Sequence, residues 1–452
     1  MIRQVAKNKL LEIFWSVMLF AGAFVCQINL VVPLSLLIIF VYIRLRGVHV
    51  RHCSLPNMFL LYLMMVATGD FVLRQGWPVF YIPFILVPVL TMVLFNNLEV
   101  TFLITLAGSL SIGAFSGSPY ELTMISFIGG VTASFLCHNA RNRNVIIRAG
   151  FLAGLTQVIA LIFIEAPLMA RPERYLVFIG NSIASSIVVL GVLPVFEYLF
   201  KVVTNISLLE LADFNHPLMQ RMILEAPGTY HHSLVVGNLA EGACAAINAN
   251  SLLARIGAYY HDIGKIDKAE YFSENQSLQE SKHDNLAPSM SKLVIMNHVK
   301  EGIELARKYR LNTSLREFIL RHHGNSLVYY FYRRALQTSE EDEVVSEEGF
   351  RYPGPKPNTK ETAVVLLADS VEAATRALKE PTAEKIRELV HKIVNNKFID
   401  GQLDECDLTL KDLNRISQVF CRLLNGIYHS RVSYPEEHKK DEKAANGDQD
   451  RG

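Results

Sequence analysis

The first 200 residues of this 452-residue chain are almost continuously apolar, whereas the remainder is rich in charge. Residues 1–200 contain 12 Lys and Arg and seven Asp and Glu, while the rest contains 32 basic and 36 acidic residues. A membrane-spanning helix needs roughly 20 mostly apolar residues. The sequence therefore predicts a transmembrane domain over 1–201 and an aqueous domain after it. Six stretches have the length of spans: 57–73, 78–95, 98–116, 121–137, 147–168 and 176–200.

An earlier apolar stretch, from about 10 to 44, is too long for one span and predicts a hairpin of two, giving eight in total. The basic clusters at 44–51 and 141–148, and Lys201, are separated by even numbers of spans, so they share one side of the membrane. Because Lys and Arg collect in cytoplasmic loops, that side is expected to be the cytoplasm. A signal peptide over 1–25 is the alternative, and it would leave seven spans.

From about 202 onwards, apolar residues recur at helical spacing. They predict a coupling helix at 206–225 within a 202–228 linker segment, and then an all-helical domain over 229–434 with Thr229 as the first N-cap. No strand pattern is present, so the predicted fold class is all-α in both halves. The charged segment 435–452 predicts a disordered tail. The predicted helices are 229–249, 251–262, 286–309, 312–322, 325–337, 360–378, 381–397 and 407–428.

Five histidines and two aspartates follow one another in the aqueous half in an order that suits metal binding. The set contains one of the neighbours His231 and His232, and then His261, Asp262, His298, His322, His323 and Asp369. Imidazole and carboxylate donors without thiolates favour a first-row divalent ion such as iron, manganese or zinc. Seven ligands exceed the needs of one tetrahedral zinc and suit two ions that share a carboxylate. Taken singly, most of these residues can be interpreted as ordinary core or surface side chains. Taken together, they predict a metal-dependent phosphohydrolase.

The most specific element is His261-Asp262-Ile263-Gly264-Lys265. Neighbouring residues on a helix point about 100° apart, so His261 and Asp262 can serve different ions, or Asp262 can bridge both. Gly264 would let other backbone or a ligand approach closely, and Lys265 can offer positive charge to a phosphate. Asp262 and Lys265 are therefore the predicted catalytic residues, and no side-chain nucleophile is evident.

Six motifs closely resemble the seven-transmembrane HD-domain phosphodiesterases, densely over about 205–430 and by span count before that. They are Tyr230-His231-His232-Ser233, His261-Asp262-Ile263-Gly264-Lys265, Tyr271-Phe272-Ser273-Glu274-Asn275-Gln276, His322-His323-Gly324, Phe350-Arg351-Tyr352-Pro353-Gly354-Pro355-Lys356-Pro357 and Asp369-Ser370-Val371-Glu372-Ala373-Ala374.

The resemblance implies an enzyme of a bacterial inner membrane that hydrolyses cyclic di-AMP to linear pApA in the cytoplasm. It implies a hydroxide held by two divalent metal ions, usually manganese or iron. By the resemblance His232, rather than His231, is the first ligand, because the family's ligand directly precedes a Ser, and Asp262 bridges the two ions. Members usually carry a large extracellular domain after the first span, and the nearly contiguous apolar segments here leave no room for it.

Other functions stay open at this point. The substrate could instead be cyclic di-GMP, a nucleoside triphosphate or an alarmone, although the Gly-Tyr-Pro element of cyclic di-GMP enzymes is missing after His323. A non-enzymatic membrane receptor would require missing ligands, and all seven are present. Lys265, Asn275 and Asn325 are the predicted substrate contacts. A cyclic dinucleotide and the lipid bilayer are the expected partners, with no nucleic acid, since no basic run is interleaved with aromatics. A homodimer and a monomer are both compatible with the sequence.

Overall fold

The structure is a computed structural model of the chain, and it describes residues 38, 55–116, 119–164, 172–276, 281–338 and 345–428. Among these residues the regular elements are helices, and one isolated bridge joins Leu327 to Arg351. The predicted all-α class is therefore confirmed. The predicted hairpin or signal peptide, apart from Ile38, and the tail 435–452 lie outside the described residues.

The membrane half contains six described helices. They are α1 (Leu55–Arg74), α2 (Leu86–Phe95), α3 (Leu98–Phe115), α4 (Pro119–Cys137), α5 (Arg143–Ile164) and α6 (Pro172–Phe200). The last four pack in sequence order, α3 on α4, α4 on α5 and α5 on α6. All except α2 are long and apolar enough to cross a membrane.

The span predicted at 78–95 is wrong as a single helix. A short 3-10 turn at Val79–Tyr81 precedes α2, and Pro83 lies between them. Proline cannot donate a helical hydrogen bond and pushes the residue before it out of the helical region, so Ile82 is extended. α2 is ten residues long, about 15 Å against the roughly 30 Å of a bilayer core. Because every residue of α2 from Val87 to Phe95 is buried, it lies within the bundle.

The coupling segment forms two helices and not the single one predicted at 206–225. They are α7 (Asn205–Leu211) and α8 (Pro217–Glu225), and a turn joins them. Pro217 explains the interruption, since proline starts a helix readily but cannot continue one. The Nδ1 atom of His216 accepts a hydrogen bond from the Leu218 amide at this start. The chain therefore changes direction between the last span and the aqueous domain.

The remainder of the described chain forms eight longer helices. They are α9 (Pro227–Ala246), α10 (Ser251–Tyr260), α11 (Pro288–Lys308), α12 (Thr313–Arg321), α13 (Tyr329–Thr338), α14 (Lys360–Arg376), α15 (Ala383–Ile399) and α16 (Leu410–Ile427). α14 lies at the centre of the core, with all of its residues from Glu361 to Asp369 buried. Thr229 is not the N-cap of α9, because Pro227 already begins that helix.

Three helix bounds differ from the predicted ones near the histidines. α10 ends at Tyr260 and not at 262, α12 ends at Arg321 and not at 322, and α13 begins at Tyr329 and not at 325. The neighbouring pairs His261-Asp262 and His322-His323 consequently lie in turns directly after a helix. This placement lets successive side chains turn towards one point. The domain boundary predicted at 434 stays a prediction.

Candidate metal centre

All seven residues predicted as ligands come together in the middle of the aqueous half. They form two groups of four, and within each group the donor atoms lie within 4.8 Å of one another. One group contains His232, His261, Asp262 and Asp369, and the other contains Asp262, His298, His322 and His323. Asp262 is thus common to both groups, as a bridging carboxylate would be.

In the first group, the Nε2 atoms of two histidines face two carboxylates. His232 Nε2 lies 3.1 Å from Asp369 Oδ1 and 3.6 Å from Asp262 Oδ2. His261 Nε2 lies 3.1 Å from the same Asp262 Oδ2 and 3.9 Å from Asp369 Oδ1. Four donor atoms therefore surround one small space.

In the second group, the other oxygen of Asp262 is the common neighbour. Its Oδ1 atom lies 3.4 Å from His298 Nε2 and 3.5 Å from His322 Nε2. These two nitrogens are 3.2 Å apart. His323 Nδ1 lies 3.6 Å from Asp369 Oδ2, so Asp369 also extends from the first group towards the second. Each carboxylate oxygen of Asp262 therefore faces its own group.

The hydrogen bonds on the outer side of four histidines fix which nitrogen faces inward. In each case Nδ1 donates a proton to an oxygen, so that Nε2 is the bare nitrogen when the imidazole is neutral. The acceptors are Glu372 Oε2 for His232 at 2.5 Å, and the carbonyl oxygens of Ala258 for His261 at 2.6 Å, Ile295 for His298 at 2.5 Å and Ile319 for His322 at 2.9 Å. Outer hydrogen bonds of this kind are typical of histidines that bind metals.

Several of the inward atoms are buried and have no hydrogen-bond partner. They are His261 Nε2 and both carboxylate oxygens of Asp262, and both residues are at most 1% exposed. Buried polar atoms without partners are costly, so such a cluster requires an unseen partner. Apart from the Lys265 ammonium, the atoms that converge here are carboxylate oxygens and imidazole nitrogens, which bind cations. The donor set therefore fits divalent metal ions.

Burial keeps part of the second group neutral. It lowers the pKa of His298 to about 3, and it lowers the pKa of His323 well below its usual range. Neutral imidazole is the form that binds a metal ion. These two side chains are therefore available as ligands without first losing a proton.

Lys265 lies beside the shared carboxylate. Its Nζ atom is 2.7 Å from Asp262 Oδ2 and 2.8 Å from Glu274 Oε1. Burial opposes the charge of Lys265, but Asp262 and Glu274 hold its pKa above the usual range. Burial likewise opposes the charge of Asp262, but His261 and Lys265 hold the pKa of that carboxyl well below its usual range. Both groups are consequently ionised at neutral pH.

Position 264 requires glycine because the backbone of α11 passes very close to it. A Cβ atom there would lie 1.8 Å from the carbonyl oxygen of His298 and 2.4 Å from the amide nitrogen of Gly302. The sequence predicts that Gly264 admits close approach of a backbone or a ligand, and the structure shows that the neighbour is the backbone of α11. This contact fixes the turn that carries Asp262 against the helix that carries His298.

The other predicted residues differ in their surroundings. His231 is exposed, whereas His232 points inward at 2% exposure. Asn275 accepts hydrogen bonds from the Gly228 and Thr229 amides, so its side chain holds the start of α9. Asn325 Oδ1 accepts a hydrogen bond from Gln402 Nε2. The substrate contacts proposed for Asn275 and Asn325 stay predictions.

Three further residues, which the sequence did not single out, border the site. Glu372 orients His232, and it could have been found because it follows Asp369 by three positions on one helix. The Tyr352 ring stacks on His323 with 4.3 Å between centroids. Lys397 is partly buried, and this burial lowers its pKa. Its Nζ atom donates a hydrogen bond to Ser326 Oγ. Lys397 comes from a distant helix, so no local pattern could reveal it.

Comparisons with known proteins agree with this geometry. Residues 13–204 match the family described as "7TM receptor with intracellular HD hydrolase", and residues 229–374 match the HD domain. The chain is 44% identical over 324 residues to the cyclic-di-AMP phosphodiesterase PgpH of Bacillus subtilis (strain 168), across 70% of this chain and 45% of the relative. It is 39% identical over 326 residues to the PgpH of Listeria monocytogenes serotype 1/2a (strain 10403S), across 70% and 44%.

A crystal structure of the L. monocytogenes PgpH HD domain in complex with cyclic-di-AMP aligns with a TM-score of 0.46 and 44% identity, over 48% of this chain and 100% of that chain. The chain spans somewhat less than half the length of the curated relatives it matches. HD-domain hydrolases bind divalent metals, and the two donor groups here are able to do so. The chain belongs to the family of 7TM receptors with an intracellular HD hydrolase domain.

Proposed function

We propose that this chain is a membrane-anchored, metal-dependent phosphodiesterase that hydrolyses cyclic di-AMP to linear pApA. One observation carries the hydrolase: two groups of four His and Asp donors share Asp262 and leave inward atoms without partners. The substrate is supported by the names of the two relatives, both cyclic-di-AMP phosphodiesterases, at 44% and 39% identity.

Two ions of manganese or iron would occupy the two donor groups, since imidazole and carboxylate donors without thiolate suit these metals. When bound, such ions lower the pKa of water to near neutrality and neutralise charge on a phosphodiester. The ligands would be His232, His261, Asp262 and Asp369 on one side, and His298, His322 and His323 with Asp262 on the other.

The protein's own residues hold and orient the ligands. Glu372 accepts the Nδ1 proton of His232 and thereby keeps Nε2 bare and directed inward. Lys265 holds Asp262 and Glu274 in place through its two ion pairs, and its positive charge is available to a phosphate oxygen. Tyr352 covers one face of His323 and limits the rotation of that ring. In addition to Lys265, Asn275 and Asn325 are proposed to contact the substrate.

The catalytic domain would lie in the cytoplasm of a bacterial cell. Arg143, in the predicted cytoplasmic cluster between α4 and α5, pairs with Glu210 of α7 at 2.5 Å. Lys201 directly follows α6 at the same end of the bundle. Because basic residues collect in cytoplasmic loops, both features support a cytoplasmic position for the domain that α7 joins to α6.

The activity can be tested with the purified full chain in detergent and added manganese or iron(II). We expect cyclic di-AMP to be converted to pApA, with slower or no turnover of cyclic di-GMP, a nucleoside triphosphate or an alarmone. His261→Ala should abolish turnover, because it removes a buried inward nitrogen. His391→Ala, at an exposed position on α15, is the matched control and should behave as wild type.

Unchanged hydrolysis by the His261→Ala variant would contradict the two-metal mechanism. Preferred turnover of another nucleotide would retain the hydrolase and overturn the proposed substrate. Metal binding without hydrolysis of any of these nucleotides would favour a receptor.

A further inference from the structure

A large cavity lies between the last span and the HD domain. Its volume is about 1180 Å³, and it is bordered by the end of α6, by α7 and by the turn between α11 and α12. It is separate from the two donor groups, since none of the seven predicted ligands lines it. The metal centre therefore does not account for it.

The cavity has an excess of positive charge. Lys201, Arg307, Arg310 and Arg316 line it, and within the described part of the chain no carboxylate forms an ion pair with any of them. Two acids also line the cavity, but both are engaged elsewhere. Glu197 accepts hydrogen bonds from the Thr204 amide and the Ser207 hydroxyl, and Glu210 pairs with Arg143.

Two of these cations occupy unfavourable backbone positions. Five described residues other than glycine have positive φ, and three of them are asparagines, the side chain that best tolerates this region. The other two are Lys201, at φ 55°, and Arg310, at φ 54°. Lys201 directly follows α6, and Arg310 lies two residues after the end of α11, at helix ends where glycine is the usual residue. Both exceptions are long cations, and both line the same cavity.

The walls also provide an unpartnered donor and an apolar border. Arg316 Nε is buried and has no hydrogen-bond partner, while an NH2 group of the same guanidinium donates to Thr313 Oγ1 at 2.9 Å. On the span side, Tyr198 is 87% exposed and Leu199 is 56% exposed. Cationic groups thus meet an exposed apolar surface at the end of a membrane-spanning helix.

We propose that this cavity binds the phosphate headgroup of an anionic phospholipid. Guanidinium and ammonium groups bind phosphate oxygens through charge-assisted hydrogen bonds, and anionic leaflets attract cations next to a span. Tyr198 and Leu199 would contact the acyl chains, which a soluble anion lacks. The headgroup would join α6 to the turn between α11 and α12. His298 lies on α11, and His322 directly follows α12. The inference rests on membrane anchoring and is independent of the proposed substrate.

The test is native mass spectrometry of the full chain in a zwitterionic detergent, titrated with phosphatidylglycerol or phosphatidylcholine. We expect a first phosphatidylglycerol to bind about tenfold more tightly than phosphatidylcholine. Lys201→Gln/Arg310→Gln should lose about tenfold in phosphatidylglycerol affinity and leave phosphatidylcholine binding unchanged. Glutamine has a Cβ as the native residues do, so the variant adds no new backbone strain. Arg387→Gln/Arg415→Gln removes the same charge from exposed positions on α15 and α16 and should bind as wild type.

Arg316→Gln is a second, independent variant and should weaken phosphatidylglycerol binding in the same direction. Equal binding of both lipids by wild type, or unchanged phosphatidylglycerol binding by the Lys201→Gln/Arg310→Gln variant, would overturn the proposal. Complete displacement of the lipid by millimolar inorganic phosphate would assign the cavity to a soluble anion and would also overturn it. Cyclic di-AMP hydrolysis is not the readout, so failure here is distinguishable from failure of the proposed function.

Discussion

Buried polar side chains occur in both halves of the molecule, but their hydrogen bonds differ. In the membrane half, many hydroxyls bond to the carbonyl four residues earlier on their own helix. Thr105 Oγ1 donates to Thr101 O at 2.7 Å, and Ser126 Oγ donates to Leu122 O at 2.6 Å. Such local bonds satisfy the hydroxyl without any partner from another element. Among the described residues of this half, the buried side-chain atoms without partners are neutral: Thr91 Oγ1, Ser109 Oγ, Gln157 Nε2 and Ser186 Oγ.

In the HD domain, the buried polar groups of the metal centre are ionisable and come from five different helices or the turns that follow them. Asp262 is 1% exposed and its two oxygens lack hydrogen-bond partners, while His261 Nε2 beside it has none either. Lys265 compensates one of the charges. The inward atoms of the seven residues converge on two small spaces, one on each side of Asp262.

The difference shows that burial of polar atoms does not by itself mark a functional site. Many buried hydroxyls on the described membrane helices bond to their own helix, and those without a partner carry no charge, whereas ionised groups gathered from distant elements stay unsatisfied unless a cation joins them. We expect substitutions in the two halves to differ accordingly, from complete loss of activity to almost no effect.

The largest effect is expected for Asp262→Asn, which keeps the shape of the side chain and removes the shared charge. Turnover should fall on the order of 10³-fold or more, because both donor groups lose their common carboxylate. Rates with cyclic di-AMP and metal content per chain would measure it. Asp267→Asn changes an exposed acid five residues later and should retain both. Normal metal content in the Asp262→Asn variant would contradict the bridging role.

Glu372→Gln should have an intermediate effect. An amide oxygen can still accept the Nδ1 proton of His232, but the bond loses its charge, so metal affinity should fall roughly 10–100-fold. Metal titration of the stripped full chain would measure this, and excess metal should restore turnover. Glu388→Gln, at an exposed position on α15, is the control. A loss of stability without a loss of metal affinity would make Glu372 merely structural.

Gly264→Ala should destabilise the HD domain, because the new Cβ would meet the His298 carbonyl oxygen at 1.8 Å. We expect the free energy of unfolding to fall by about 2–3 kcal/mol, in the upper range for overpacking. Urea unfolding of the full chain in detergent would measure it. Gly426→Ala meets nothing within 4 Å and should leave stability unchanged or slightly raised. Equal stability of the two variants would refute the close approach.

The smallest effect is expected in the membrane half. Thr105→Val conserves volume and removes a hydroxyl that bonds only to its own helix. The free energy of unfolding should change by less than about 1 kcal/mol, and cyclic di-AMP turnover should stay within about twofold. The same unfolding and activity assays would detect a change. A loss comparable with that of Asp262→Asn would mean that this buried hydroxyl is functional after all.

Much of this architecture could be predicted from local sequence. Long apolar runs indicate spans directly, and the ordered histidines and aspartates indicate a metal centre because all of them except His298 lie in distinctive short motifs. Gly264 could be predicted as a point of close approach, although not that α11 is the neighbour. These features depend on few residues that are close together in the chain.

Features that depend on tertiary contacts could not be predicted. Asn275 was assigned to substrate, but its position 46 residues after Thr229 gives no sign that it holds the start of α9. Lys397 enters the site only because α15 packs on α14. The errors at 78–95 and 206–225 were avoidable in principle, since Pro83 and Pro217 interrupt these helices locally.

The central claim is that the two donor groups of the HD domain, which share Asp262, hold two metal ions. The most direct measurement is the metal content per chain of the full-length protein, purified with manganese or iron(II) and analysed by inductively coupled plasma mass spectrometry. The account predicts two ions per chain for wild type and a loss of both in the Asp262→Asn variant. No bound metal in an active wild-type enzyme, or one ion that the Asp262→Asn variant retains, would contradict it.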